Sequence, residues 1–177
     1  MHPIEIDKTL KTFEILVDTR EQKWSHIENS LKATETAYTR HKLNYGDYTC
    51  KAIKPCGEAV SLADKVVIER KANLDELAQN FTKGRQRFDR EFKRAVEDNA
   101  KVFLMVENAS WEDIDNHIYR SKFPPKSYKA TLFSWQARYN ITIIFCKPQQ
   151  SGDIIKGILY YAMRDYLQKL KDGDEIA

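Results

Sequence analysis

Lys65-Val66-Val67-Ile68-Glu69-Arg70-Lys71-Ala72-Asn73-Leu74-Asp75 is the stretch on which the reading of this chain turns. Its centre is apolar and β-branched, which favours a strand, and the strand ends on charge. Side chains alternate along a strand, so Glu69 and Lys71 face one way while Ile68 and Arg70 face the other. Asn73 is placed to cap a helix whose Leu74, Leu77, Ala78 and Phe81 share one face.

Outward from this unit, apolar runs alternate with helical periodicity. Phe13 to Asp18 reads as a strand ending on a carboxylate, and a less regular strand after Tyr48 breaks at Pro55-Cys56-Gly57. Gly84 interrupts the helical pattern, and a longer helix is expected from about Arg85 to Asn99. Val102 to Val106 predicts a buried strand. Pro124-Pro125 opens a helix with Tyr128, Leu132, Trp135 and Tyr139 at core spacing, rather than as a base-stacking platform. Ile141 to Phe145 reads as the last strand and residues 152–171 as the last helix. The expected fold class is α/β, a mixed central sheet flanked by helices. Residues 1–12 read as a polar lead-in, 13–171 as the folded domain, and 172–177 as an acidic tail.

With 177 residues, 42% hydrophobic and 31% charged, the chain can bury one core and does not resemble a disordered polymer. Its longest apolar runs are too short to span a bilayer, and the N-terminus lacks the pattern of a signal peptide, so no membrane partner is expected. Cys50, Cys56 and Cys146 form no CxxC pair, which argues against a disulfide framework or a zinc site. An intracellular setting follows, cytoplasmic for a prokaryotic or viral protein and nuclear for a eukaryotic fragment. His26, His41 and His117 show no metal-ligand spacing. A net charge of +3 decides nothing about partners.

Asp18-Thr19-Arg20-Glu21, Gly46-Asp47 and Glu69-Arg70-Lys71 place acids at strand ends. A carboxylate and an ammonium on one strand face make an ordinary salt bridge. They are also what metal-assisted phosphodiester hydrolysis needs, because hard oxygens hold Mg²⁺ or Mn²⁺ and a lysine can stabilise charge on the phosphate. Gly46 allows a tight turn beside Asp47, as would any surface Gly-Asp. Composition and spacing leave both readings open.

Together, however, these segments resemble a known family. Gly46-Asp47 followed by Glu69-Arg70-Lys71 and Asp75 is similar to the GD…ERKxxxD motif of the XPF family of structure-specific endonucleases. Leu16 to Glu21 resembles its VDxRE strand, Leu43 to Tyr48 its LxxGDY, and Asn80 to Arg85 its NxxxGR segment. The resemblance implies a restriction-endonuclease-like fold and a DNA endonuclease using Mg²⁺ or Mn²⁺. It implies Asp47 and Glu69 as metal ligands, with Asp18 as a further acid, and Lys71 at the water or the transition state. Arg70 belongs to the catalytic motif, with Glu21, Arg20 and Asp75 in support. An ion pair between Arg70 and an acid such as Asp75 is an equal expectation, as is Asp75 in a first helical turn. Branched substrates are implied, namely flaps, forks or junctions of single and double strands, in repair, recombination or replication. Family members also include non-catalytic DNA-binding partners, which is the alternative reading. Many relatives continue into helix-hairpin-helix modules. Only a few residues follow the last helix here, so branch selectivity would come from dimerisation, from a partner, or be absent.

The basic residues follow a helical rule. Lys83, Arg87, Arg90 and Arg94 fall in one stripe opposite Phe81, Phe88, Phe92, Ala95 and Val96, either as a DNA-binding face or as a solvated one. Asp89 and Glu91 could neutralise part of it. Arg85 lies on the apolar side, so an anionic partner in the active site is expected for it. Lys122, Lys126 and Lys129 read as solvated. Finally, Ile154, Ile155, Ile158, Leu159, Ala162, Met163, Tyr166, Leu167 and Leu170 spread over roughly 220° of the last helix, more than one sheet contact needs. Either the Trp135 helix covers the excess, or a second copy of the chain does, which makes a homodimer.

Overall fold

The computed structural model describes residues 2–82 and 84–172. Seven strands form one mixed sheet. They are β1 (Glu14–Asp18), β2 (Ala37–His41), β3 (Tyr48–Ile53), β4 (Ala59–Ser61), β5 (Val66–Lys71), β6 (Lys101–Glu107) and β7 (Ile141–Cys146). The order is β2-β1-β3-β5-β6-β7, with β4 paired to β3. Strands β5, β6 and β7 run parallel, β3 runs against both β1 and β5, and β1 is parallel to β2. The apolar runs became the central strands because both sheet faces are covered, which suits continuous Val, Ile and Leu.

One face carries α1 (Pro3–Leu10), α2 (Ser25–Ala33) and α7 (Pro148–Asp172) over Ile15, Val17, Ile68 and Met105. The other carries α3 (Leu74–Gln79), α4 (Arg85–Glu97), α5 (Trp111–Asp115) and α6 (Pro125–Tyr139) over Val67, Leu104 and Val106. Phe81, Phe88, Phe92 and Trp135 interlock at the centre of this second layer, with ring centroids 4.3–5.4 Å apart. Helices α2 and α7 pack closely at Gly152, where an added Cβ would lie 2.5 Å from the Ser30 Cβ.

Two expectations need correction. Residues 1–12 include a helix rather than only a polar lead-in: His2 and Glu5 form a capping box, and Ile6 and Leu10 are buried against the sheet core. The last helix is not wedged against the Trp135 helix, because α6 lies across the sheet; α7 packs instead on α1, α2, β3 and β5. Asp172 ends α7, and the rest of the expected acidic tail lies outside the described residues. Among the described residues no helix is long and apolar enough to cross a membrane.

Candidate active site

The C-terminal end of β5 meets the turn before β3, and this junction builds the site. Asp47 N–H donates to the Ile68 carbonyl at 2.8 Å and Asp18 N–H to the Asp47 carbonyl at 2.8 Å, tying three strands together. Gly46 makes the turn possible. Its φ is +71°, and a Cβ there would sit 2.9 Å from the Val67 Cβ. The Asp47 carboxylate then folds over β5 and accepts from the Arg70 backbone N–H at 2.7 Å.

A cavity of about 540 Å³ opens here, lined by Asp47, Glu69, Lys71, Glu21, Arg20, Glu76, Arg87 and Glu91 among others. The expected alternation holds: Glu69 and Lys71 project together on the α3/α4 face, and Lys71 Nζ donates to Glu69 Oε1 at 2.5 Å. The Lys71 ammonium also lies 5.1 Å from the centre of the Phe88 ring. Although burial disfavours its charge, Glu69 and Asp47 hold Lys71 protonated. Asp47 shows the reverse. Burial and the neighbouring Glu69 charge raise its carboxyl well above the usual range.

Arg70 takes the opposite face, where it pairs with Glu21 at 2.7 Å and Glu107 at 2.9 Å instead of Asp75. Its charge supports the site from behind, through Glu21 at the cavity rim. Burial raises the Glu21 carboxyl despite this partner. Glu107 also accepts from Ser151 at 2.5 Å and lies 2.7 Å from His26 Nε2. Sequence reasoning missed this network, although a Glu ending a buried strand in phase with Arg70 was the available signal.

Other expectations were displaced. Asp18 does not line the cavity: one oxygen accepts from Arg20 N–H and Nε at 2.7 Å, and the other from Leu43 N–H at 2.7 Å. Those bonds outweigh burial and keep its carboxyl below the ordinary range. Asp75 sits in the first turn of α3 and holds the distant loop between α5 and α6 through Arg120 and Ser121, outside the cavity. Arg85 does not point at the sheet or the site. Its side chain is 66% exposed, and its ion-pair partner is Asp89, at 3.9 Å. The buried arc of α4 is narrower than its apolar sequence suggests, since Val96 at the same edge is 45% exposed. Of the basic stripe, Arg87 reaches the cavity rim beside Glu91 at 3.7 Å. Arg90 and Arg94 are exposed, and Lys83 lies outside the described residues. Glu76 and Glu91 are acids of the cavity that sequence reading did not select; Glu76 is fixed there by accepting from Ala72 N–H at 2.8 Å.

Asp47 and Glu69 offer hard oxygens to one space, and the raised Asp47 marks a place where a cation would relieve repulsion, so the pair fits Mg²⁺ or Mn²⁺. Asp18 does not join them, and no three metal-ligating side chains converge among the described residues.

Comparison with known proteins settles the family. The ERCC4 domain matches residues 17–158. The chain belongs to that family, the XPF nuclease family. Its fold is that of the XPF nuclease domain. XPF from Aeropyrum pernix superposes with a TM-score of 0.62 at 22% identity, covering 84% of this ERCC4 chain and 61% of the archaeal one. The same archaeal protein in complex with DNA gives 0.61 at 21% identity, covering 86% and 66%. The chain thus spans under two thirds of the length of these structural relatives. No curated protein sequence matches it.

Proposed function

We propose that this member of the ERCC4 domain family is a metal-dependent DNA endonuclease that hydrolyses phosphodiester bonds in branched DNA. The observation that carries this reading is the convergence of Asp47, Glu69 and Lys71 in one open cavity at the end of β5. Asp47 and Glu69 would hold Mg²⁺ or Mn²⁺, which lowers the pKa of bound water and offsets phosphate charge. Lys71 would then be released from Glu69 to face the phosphate, protonated, where it stabilises charge in the transition state. Arg70 positions Glu21 and, through its backbone N–H, Asp47. Arg20 has the smaller task of fixing the β1 turn through Asp18.

DNA as the substrate is supported by family membership and by the relative that binds DNA. Flaps and forks are proposed by analogy with the family. Arg87, Arg90 and Arg94 form the DNA face of α4, with Arg87 at the mouth of the cavity. A non-catalytic DNA-binding role is disfavoured because such partners have no use for all three of these groups in one cavity.

Cleavage of single-stranded, duplex, flap and fork DNA, compared in Mg²⁺, Mn²⁺ and EDTA, tests the reading. Cleavage is expected with either metal, strongest on flap or fork, and absent in EDTA or in Asp47→Asn. Undiminished cleavage in chelator would sink the metal mechanism. Wild-type rates in Asp47→Asn would displace the site.

A further inference from the structure

The groove between α4 and α6 lies on the flank of α4 away from Arg87 and the catalytic cavity. It encloses about 300 Å³ and is lined by Arg85, Ser127, Thr131, Ser134, Trp135 and Arg138. Ser127, Thr131, Ser134 and Arg138 recur on α6 at the spacing of one helix face, beside the buried Tyr128, Leu132, Trp135 and Tyr139. That face therefore repeats hydroxyl, hydroxyl, hydroxyl and guanidinium towards the groove, and Arg85 closes it from α4.

Among the described residues, every polar side chain lining this groove carries an N–H or O–H, and no carboxylate lines it. Asp89 is 3.9 Å from Arg85 Nε and also accepts from Tyr139 at 3.5 Å, so it engages the arginine only loosely. Arg138 lies over its own neighbour, the Tyr139 ring, at 5.7 Å. Thr131 spends its hydroxyl hydrogen on the Ser127 carbonyl at 2.9 Å. The hydroxyls of Ser127 and Ser134 have no hydrogen-bond partner among the described residues and remain available. Two guanidinium groups that line one groove repel each other, and an anion between them relieves that repulsion. A tetrahedral phosphate, with several acceptor oxygens, suits two arginines and two hydroxyls better than a planar carboxylate does.

We propose that this groove seats one phosphate of the DNA backbone, on the side of α4 opposite the catalytic cavity. The proposal rests on the nucleic-acid reading above and adds a second point of attachment to it. Base recognition is not its purpose. Among the described residues the one aromatic ring lining it, Trp135, is buried among Phe81, Phe88 and Phe92 and offers no stacking face, whereas single strands are gripped by exposed aromatic platforms. A phosphate held in this way fixes register and orientation without reading sequence. With Arg87 on one flank of α4 and Arg85 on the other, the backbone would be held from both sides of that helix.

Binding of the full chain to a labelled duplex in EDTA, followed by anisotropy over a series of KCl concentrations, tests this directly. Arg85 and Arg138 are both exposed, so the double variant Arg85→Ala, Arg138→Ala keeps the fold. It should bind more weakly at every salt concentration, with a salt slope shallower by about 0.9 unit, as when one phosphate is no longer neutralised. Ser134→Asp, which puts a carboxylate between the arginines, should weaken binding in the same direction. Wild-type affinity and slope in both variants would overturn the groove while leaving the DNA reading intact. Failure of the wild-type chain to bind any duplex would overturn both. A third arm measures thermal stabilisation by inorganic phosphate. Stabilisation that the double variant loses, alongside an unchanged duplex slope, would mark a free-anion site and overturn the proposal as well.

Discussion

Glu107 remains ionised in a place where burial works against its charge. Donors from Arg70, Ser151 and His26 overcome that cost and hold its carboxyl below the ordinary range. A depressed folded pKa stabilises the protein above the unfolded pKa, and that stability is lost as pH falls through the folded value. Glu107→Gln leaves Arg70 buried with half of its countercharge, so a loss of about 3 kcal/mol is expected at neutral pH, or roughly 6–12 °C in Tm. The gap between wild type and variant should narrow on acidification, because a protonated Glu107 resembles the amide. Thermal melts at neutral and acid pH would check this, and a gap that widens in acid would mean that Glu107 is not the charged member. The same residue shows why the network escaped sequence analysis. Glu21, Glu107 and Ser151 are far apart in sequence, and only the fold brings Glu21 and Glu107 to Arg70, and His26 and Ser151 to Glu107.

At the scale of elements, α4 divides the functions. Its inner face packs Phe88 and Phe92 into the core, one flank offers Arg87 to the cavity, and the outer side exposes Arg90 and Arg94. If the outer stripe holds phosphates, Arg87→Ala with Arg90→Ala should weaken DNA binding and flatten the salt slope by about 0.9 unit for each phosphate released. Lys71→Ala should instead lower turnover, by roughly 100-fold or more as for a missing transition-state donor, with little change in affinity. Single-turnover rates at saturating DNA separate the two, and an unchanged slope would return the stripe to solvent. Elements with a strong period were legible: β5, β6 and β7 through their apolar runs, and α3, α4 and α6 through caps and core spacing. What lacked a period was not. Strand β2 is an exposed edge with little apolar content, and α1 buries only one flank of a polar run. Alternation is a local rule and put Glu69 and Lys71 on one face, and Gly46 allowed a turn at Asp47, but only the family resemblance singled the three out as a site. Asp18 is held by Arg20, two residues on, and by Leu43, on the far side of β2 in sequence, and the second of these bonds has no local signal.

At the scale of the whole molecule, α1 and α2 explain much of the apolar arc of α7 but not all of it. Ile155, Leu159, Met163 and Leu167 are fully buried, whereas Ile154, Ile158 and Ala162 are only partly covered. On the same sheet face, Val66, Phe103 and Ile144 are likewise half-buried, towards the open edge at β7. A strip that joins helix and sheet beside an open edge is what a two-fold partner would cover, since a self-complementary patch closes on its own copy. We therefore expect a homodimer, assembled through this strip and carrying two catalytic cavities. Light scattering should give about twice 20.7 kDa for the wild-type chain. Ile158→Glu places a charge at the centre of the strip without entering the buried core, so it should yield a folded monomer with an unchanged circular dichroism spectrum. A wild-type mass near 20.7 kDa at every concentration would rule the dimer out. A variant that stays dimeric would move the interface elsewhere, with the exposed rings of Trp111 and Phe133 beside Phe145 as the next surface to substitute.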